Sequence, residues 1–150
     1  MKLSNKDKLI LNELIKNGRV SLDKLSKKTG VPVSTVHRRV KRLELKGLIR
    51  GYEPIIDYSM IDYNVTLFLI IDLEEGIDTN VTLSKLKSYN KITELHLLQG
   101  SDFDLIAKAK CKNLVDADKL IKEVMKLEGV EEVNSMVSAI SEKESLVMPI

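Results

Sequence analysis

A chain of 150 residues holds one ordinary domain or two small ones, each near the lower limit of independent stability. Apolar and charged fractions of 43% and 31% exclude a disordered or fibrous class, and a single cysteine, Cys111, excludes an internal disulfide framework and fits a reducing compartment. The net charge of +2 conceals an asymmetry: residues 1–50 carry 14 Lys and Arg against 4 Asp and Glu, whereas residues 51–150 carry 10 against 18.

A basic half followed by an acidic half points to one part that binds a polyanion and one with another task. On charge alone, a solvated lysine-rich surface is an equal reading. The first residues contain no apolar stretch of signal-peptide length. The longest apolar run, Leu67–Ile71, is too short to span a bilayer. The expectation is a cytoplasmic protein.

Three helical patterns fill residues 1–50. The first runs from Ser4 to about Asn17, with Ser4 and Asp7 spaced as in a capping box and Ile10, Leu11, Leu14 and Ile15 forming a buried stripe. Gly18 stands where a left-handed residue would close it. The second, Ser21–Thr29, is capped by Ser21 and ended by Gly30. The third is entered through Pro32, runs from about Val33 to Lys46 and is stopped by Gly47.

At about 100° per residue, Val33, Val36, Val40 and Leu43 fall on one face of this third helix. Ser34, Arg38 and Lys41 lie opposite, with His37 and Arg42 on the flanks and Thr35 toward the Arg42 side. An apolar back and a Ser/Thr/His/Arg/Lys front are the chemistry of a recognition helix. Arg donates two bonds to a guanine edge, Ser and Thr reach phosphates or bases, and Lys neutralises phosphate. Gly30-Val31-Pro32 supplies the short turn of a helix-turn-helix. Lys27 and Lys28 on the second helix add to the candidate DNA-facing set. Arg39, at the edge of the apolar stripe, either pairs with Asp7 or contacts phosphate. Arg50, in a segment that reads as a short strand or wing ahead of Pro54, either touches the DNA backbone or is simply solvated.

These residues carry a resemblance. Leu3-x-x-x-Asp7-x-x-Ile10-Leu11-x-x-Leu14, Arg19-Val20-Ser21, Leu25, Gly30 and Ser34-Thr35-Val36-x-x-Arg39-Val40-x-Arg42-Leu43-Glu44-x-x-Gly47-Leu48-Ile49-x-Gly51-Tyr52 resemble the Lrp/AsnC, or feast/famine, regulators of bacteria and archaea. Gly100-Ser101-Asp102-Phe103-Asp104 looks like that family's Gly-x-x-Asp loop, so the likeness covers nearly the whole chain. Two departures stand out. Ser4 replaces a frequent Asp and still caps, while Pro32 replaces a frequent capping Ser and leaves one helix-end amide in need of another partner.

Beyond a connector at residues 51–63, residues 64–150 read as strand Val65–Leu73, a weak helix led by Asp78-Thr79, strands Ile92–Gln99 and Leu105–Cys111, a helix begun by Asn113 and ended by Gly129, and a strand Val130–Ile140. The stripe of the second helix is Leu114, Ala117, Ile121, Val124 and Leu127. The order β-α-β-β-α-β is ferredoxin-like. The fold expected is therefore α+β, with a winged helix-turn-helix joined to a ferredoxin-like domain for dimerisation and effector binding. Both faces of the first strand are apolar while two helices cover one, so a second copy is the expected cover for the other. A homodimer also supplies two DNA half-sites, and the resemblance implies that dimers stack into octamers.

The resemblance also implies that the loop at Gly100, Ser101, Asp102 and Asp104 contacts a free amino acid. A backbone amide or Ser101 would meet the carboxylate and an Asp the ammonium. The alternative is a polar hairpin whose Asp side chains bond their own backbone. No enzyme chemistry is expected. His37 and His96 lie in different domains, His96 reading as a structural strand residue. No zinc-ligand spacing or Gly-rich phosphate loop is present, and no cofactor is implied. The function expected is a sequence-specific DNA-binding regulator that responds to a small molecule. Its rivals are an enzyme on the same scaffold, like the haem-pathway decarboxylases that resemble this family, and a DNA-compacting protein without sequence preference.

Overall fold

The computed structural model describes residues 2–100, 102–145 and 147–150. The chain divides into two compact units. One runs to Ile55 and also includes Lys143–Ile150; the other is Ile56–Glu142. The described residues among the last eight, 143–145 and 147–150, thus group with the helical unit. Their anchor is Asn12, whose side-chain amide donates to the Ile150 carbonyl and accepts from its amide, both at 2.8 Å.

The first unit holds α1 (Asn5–Lys16), α2 (Leu22–Thr29) and α3 (Val33–Leu45). Ile10, Leu25, Val31, Val36 and Val40 form its core, with Leu14, Val20, Leu22 and Ile49 packed around them. Ser4 caps α1 in a reciprocal capping box with Asp7. Ser21 caps α2, and Gly30 ends it at φ 68°, a left-handed turn that a side chain would strain. Pro32 starts α3 without any side-chain cap. Val33 is 39% exposed, so the buried stripe of α3 begins at Val36, one turn later than the periodicity indicated.

Two further expectations are corrected here. Gly18 is not left-handed. It lies under the Tyr52 ring, where an added Cβ would stand 3.2 Å from Tyr52 Cδ1, a tight contact that the absent side chain relieves. The segment after α3 forms no strand, because a single extended segment with a donor-less Pro54 meets no ladder partner within the described residues.

In the second unit a 3₁₀ turn (Tyr58–Ile61) precedes β1 (Val65–Leu73), α4 (Thr79–Ser88), β2 (Ile92–Leu97), β3 (Leu105–Cys111), α5 (Leu114–Met125) and β4 (Val130–Val137). The sheet order is β2-β3-β1-β4 with every neighbouring pair antiparallel. That is the split β-α-β topology of the ferredoxin-like arrangement. Strands β2 and β4 end earlier than read, at Leu97 and Val137.

Leu67, Leu69, Ile71 and Leu73 alternate onto the helix-covered face with Leu105, Ala107, Ala109 and Cys111 beside them. The small Ala107 and Ala109 stand opposite Leu69 and Leu67, which lets Leu86, Leu120 and Val124 descend onto the sheet. Leu114 is 64% exposed and Leu120 is buried, so the α5 stripe is Ala117, Leu120 and Val124 rather than the one expected from spacing. Phe68, Ile70, Ile106 and Met136 occupy the opposite face; the first three are half-buried and Met136 is 53% exposed.

Gly129 closes the turn from α5 into β4 at φ 85°, where a Cβ would meet Thr82 Oγ1 at 2.8 Å and Ile77 Cγ2 at 3.0 Å. Thr82, almost fully buried, cannot yield, since its hydroxyl donates to the Glu128 carbonyl at 2.9 Å. Gly129→Ala is expected to destabilise the second unit by about 2 kcal/mol through backbone strain and displacement of Thr82. A thermal denaturation profile unchanged by the substitution would contradict this contact.

Among the described residues no helix is long and apolar enough to cross a membrane.

Candidate nucleic-acid interface and effector loop

The α3 helix is held by Val36, Val40 and Leu43 in the core. Its rotation about its own axis therefore leaves Ser34, His37, Arg38 and Lys41 exposed and Thr35 half-buried. Lys27 is exposed on α2, and Arg50 is exposed beyond α3. Lys28 is exposed too, but its ammonium sits 2.8 Å from Glu13, which also binds Lys16 at 2.6 Å. Bonds from Lys16 and Lys28 hold the Glu13 carboxyl below its ordinary value.

Arg39 and Arg42 have a different position. Both converge on Asp7, whose side chain is 1% exposed. Asp7 Oδ1 accepts from Arg39 Nη1 and Arg42 Nη2 at 2.8 Å each, and Oδ2 accepts from Arg42 Nη2 at 2.9 Å. Ser4 completes the cluster, donating to Oδ2 from its amide at 3.0 Å and from its hydroxyl at 2.6 Å. Arg39 Nη1 also donates to Ser4 Oγ at 2.9 Å. The structural alternative for Arg39 is thus the one seen, and Arg42, read from sequence as a DNA-facing flank, shares the same carboxylate. The spacing of Arg39 and Arg42 at i and i+3 was the available signal that one acid could serve both.

Burial alone would raise the Asp7 carboxyl, but the bonds from Ser4 and Arg39 outweigh it and hold it well below the usual carboxylate range. A depressed folded value means stability that is present above the unfolded value, about 3.9, and lost as pH falls toward the folded one. Asp116, held down by Lys91 and the Lys112 amide, acts in the same direction. Stability measured by denaturant titration is therefore expected to fall below about pH 4, and Asp7→Asn should flatten that fall. An equally steep fall in the variant would assign it elsewhere.

Tyr52 was part of the sequence pattern without an assigned role. Its hydroxyl donates to Glu44 Oε1 at 2.9 Å. Burial and the Glu44 carboxylate push its pKa up to about 12, so it remains a neutral donor. With Leu14, Val20, Leu22, His37 and Lys41 it lines an open pocket of about 400 Å³ beside α3.

In the second unit, the Leu98 amide donates to the Asp104 carbonyl at 2.7 Å, and Asp104 Oδ2 accepts from the Leu73 amide at 2.8 Å. Asp104 thereby ties the loop between β2 and β3 to the end of β1. Asp102 is exposed, Gly100 turns the chain at φ 77°, and Ser101 lies outside the described residues. His96 is not enclosed in the sheet, as a structural strand histidine would be. Its side chain is 62% exposed, with Nε2 at 3.6 Å from Glu94 Oε2. Among the described residues no three His, Cys, Asp or Glu side chains are grouped so as to hold a metal ion.

A tri-helical unit with a basic exposed helix face, followed by a βαββαβ unit, defines a two-domain transcription regulator of the helix-turn-helix class. Residues 3–50 match the family model described as winged helix-turn-helix DNA-binding, and residues 66–148 match the Lrp/AsnC ligand binding domain. The chain belongs to the Lrp/AsnC family of transcriptional regulators. It is 33% identical to the HTH-type transcriptional regulator FL11 of Pyrococcus furiosus, over 99% of this chain and 97% of that one. To the leucine-responsive regulatory protein of Escherichia coli it is 34% identical, over 93% and 86%. The fold is shared with AsnC of E. coli (TM-score 0.87, 24% identity, 98% and 99% covered). It is also shared with a transcriptional regulator of Neisseria meningitidis solved as a complex with L-Met (TM-score 0.91, 20% identity, 99% and 97% covered).

Proposed function

We propose that this chain binds duplex DNA sequence-specifically through the exposed face of α3 and that a small molecule of the amino-acid class, bound near the β2–β3 loop, tunes that binding. The observation that carries the reading is the disposition of α3. Val36, Val40 and Leu43 are locked in the core while Ser34, Arg38 and Lys41 point away from it, with Thr35 and His37 alongside. Arg38 supplies the bidentate donor for a guanine edge, and Lys41, Lys27 and Arg50 neutralise phosphates. Arg39, Arg42 and Lys28 contribute charge while bound to acids.

A homodimer supplies the second recognition helix. Support comes from Phe68, Ile70, Ile106 and Met136 on the sheet face opposite the helix-packed core, apolar side chains that a second copy would cover. For the effector, the L-Met complex of the Neisseria relative and the exposed Asp102 support an ammonium contact there. Asp104 has already committed one oxygen to Leu73 and acts as the loop's fastening. Gly100 and Ser101 lend backbone and hydroxyl to a carboxylate.

The test is selection of duplexes from a random pool by the intact chain, with and without each free L-amino acid. The expected outcome is one enriched motif with two half-sites about 34 Å apart. At least one amino acid should shift the enrichment, and Asp102→Ala should blunt that shift. No enriched motif under any condition would overturn the reading in favour of sequence-blind binding. A motif indifferent to every amino acid would remove the effector half alone.

A further inference from the structure

Four cations on α3 fall into two pairs of equal spacing. Arg38 and Lys41 lie on the exposed face, while Arg39 and Arg42, one position further along, turn by about 100° onto Asp7. All four are chemically able to hold phosphate. Each phosphate neutralised adds attraction of about 0.9 in the logarithmic salt slope and carries no sequence information. A helix that delivered all four would bind every duplex more strongly and distinguish among them less.

The two arginines on Asp7 are not equivalent. Arg39 has a second anchor, Ser4 Oγ at 2.9 Å, and its side chain is 23% exposed. Arg42 is 46% exposed, and among the described residues its hydrogen bonds go to Asp7 alone. Arg39 is thus a fixture between α1 and α3. Arg42 sits at the edge of the cluster, half in water, adjacent in sequence to the DNA-facing Lys41.

We propose that Asp7 restrains Arg42 from phosphate, making this carboxylate a positioning residue that sets the balance between sequence-selective and sequence-blind DNA binding. The inference rests on the DNA-binding reading above. A buried carboxylate with fixed donors offers Arg42 a pre-organised partner that an incoming, hydrated phosphate has to displace. Asp7 also lies in the first turn of α1, where the helix end favours a negative charge. The carboxylate is therefore stabilised from two directions, by the helix and by the arginines, and is not easily given up.

The test compares the unaltered chain, Asp7→Asn, Arg42→Met and the double variant. The probes are a duplex recovered by selection and a scrambled duplex of the same length, titrated across roughly 50 to 200 mM salt. Asparagine keeps the size of the side chain and an oxygen for the Ser4 amide but removes the charge. For Asp7→Asn the expected salt slope on the scrambled duplex is steeper by about 0.9, one additional phosphate, with a smaller affinity ratio between the two duplexes. Arg42→Met alone should leave the slope as it is, and the double variant should return it to the unaltered value.

A folded Asp7→Asn with unchanged slope and ratio would overturn the proposal, since a purely structural Asp7 alters melting and nothing else. So would a slope reduced by about 0.9 in Arg42→Met, because Arg42 would then already hold phosphate. The latter arm decides the matter if Asp7→Asn does not fold. Failure of the unaltered chain to bind either duplex would instead remove the DNA-binding reading, and this proposal with it.

Discussion

Asp7→Ala is expected to lower the stability of the N-terminal unit by about 3 kcal/mol, the lower end of what breaking a buried ion pair costs. The lower end applies because the two guanidiniums are not equally enclosed. Arg42 is 46% exposed and regains water, whereas Arg39 is 23% exposed and its Nε is already buried with no hydrogen-bond partner among the described residues. Alanine also removes the carboxylate half of the capping box with Ser4. Against a typical total of about 5–15 kcal/mol, such a loss is large for a unit of three short helices. Denaturant titration of the intact chain, followed by helical signal, measures it. A change under about 1 kcal/mol would show the cluster to be no stronger than a surface ion pair.

The second large effect concerns reading rather than folding. Arg38→Ala is expected to reduce discrimination at one base position of a selected duplex by about 1–3 kcal/mol while leaving melting nearly unchanged, because Arg38 is exposed and off the core stripe. Lys41→Ala should instead weaken binding to all duplexes alike and make the salt slope shallower by about 0.9. Competition titrations with single-base variants of the duplex separate the two. Uniform weakening by Arg38→Ala would reassign it from base edge to phosphate.

Local chemistry made much of this molecule legible before any coordinates. Ser4, Ser21, Asp78 and Asn113 cap the four helices they were read to begin, because capping is decided within a few residues. The βαββαβ order followed from periodicity for the same reason. Legibility failed where a decision depends on distant partners. Helical spacing alone could not tell Leu114 from Leu120 as the buried residue of α5, since sheet packing chooses the phase. Nor could it show that Asp104 ties its loop to Leu73, a contact across 31 residues. The site was divided likewise. Residues opposite the valines of α3 followed from angle, whereas the sequestering of Arg42 required knowing how far one carboxylate reaches. The tie between Asn12 and Ile150 carried no local signal.

The proposed turning of the Ser34/Arg38/Lys41 face of α3 toward a duplex leaves Val36, Val40 and Leu43 in the core. Titrating isotope-labelled intact protein with a selected duplex, and following backbone amide and arginine side-chain resonances, addresses it directly. The largest shifts are expected at Ser34, Thr35, Arg38 and Lys41, with Val36 and Val40 nearly still. Shifts confined to residues 56–142, with α3 silent, would contradict it.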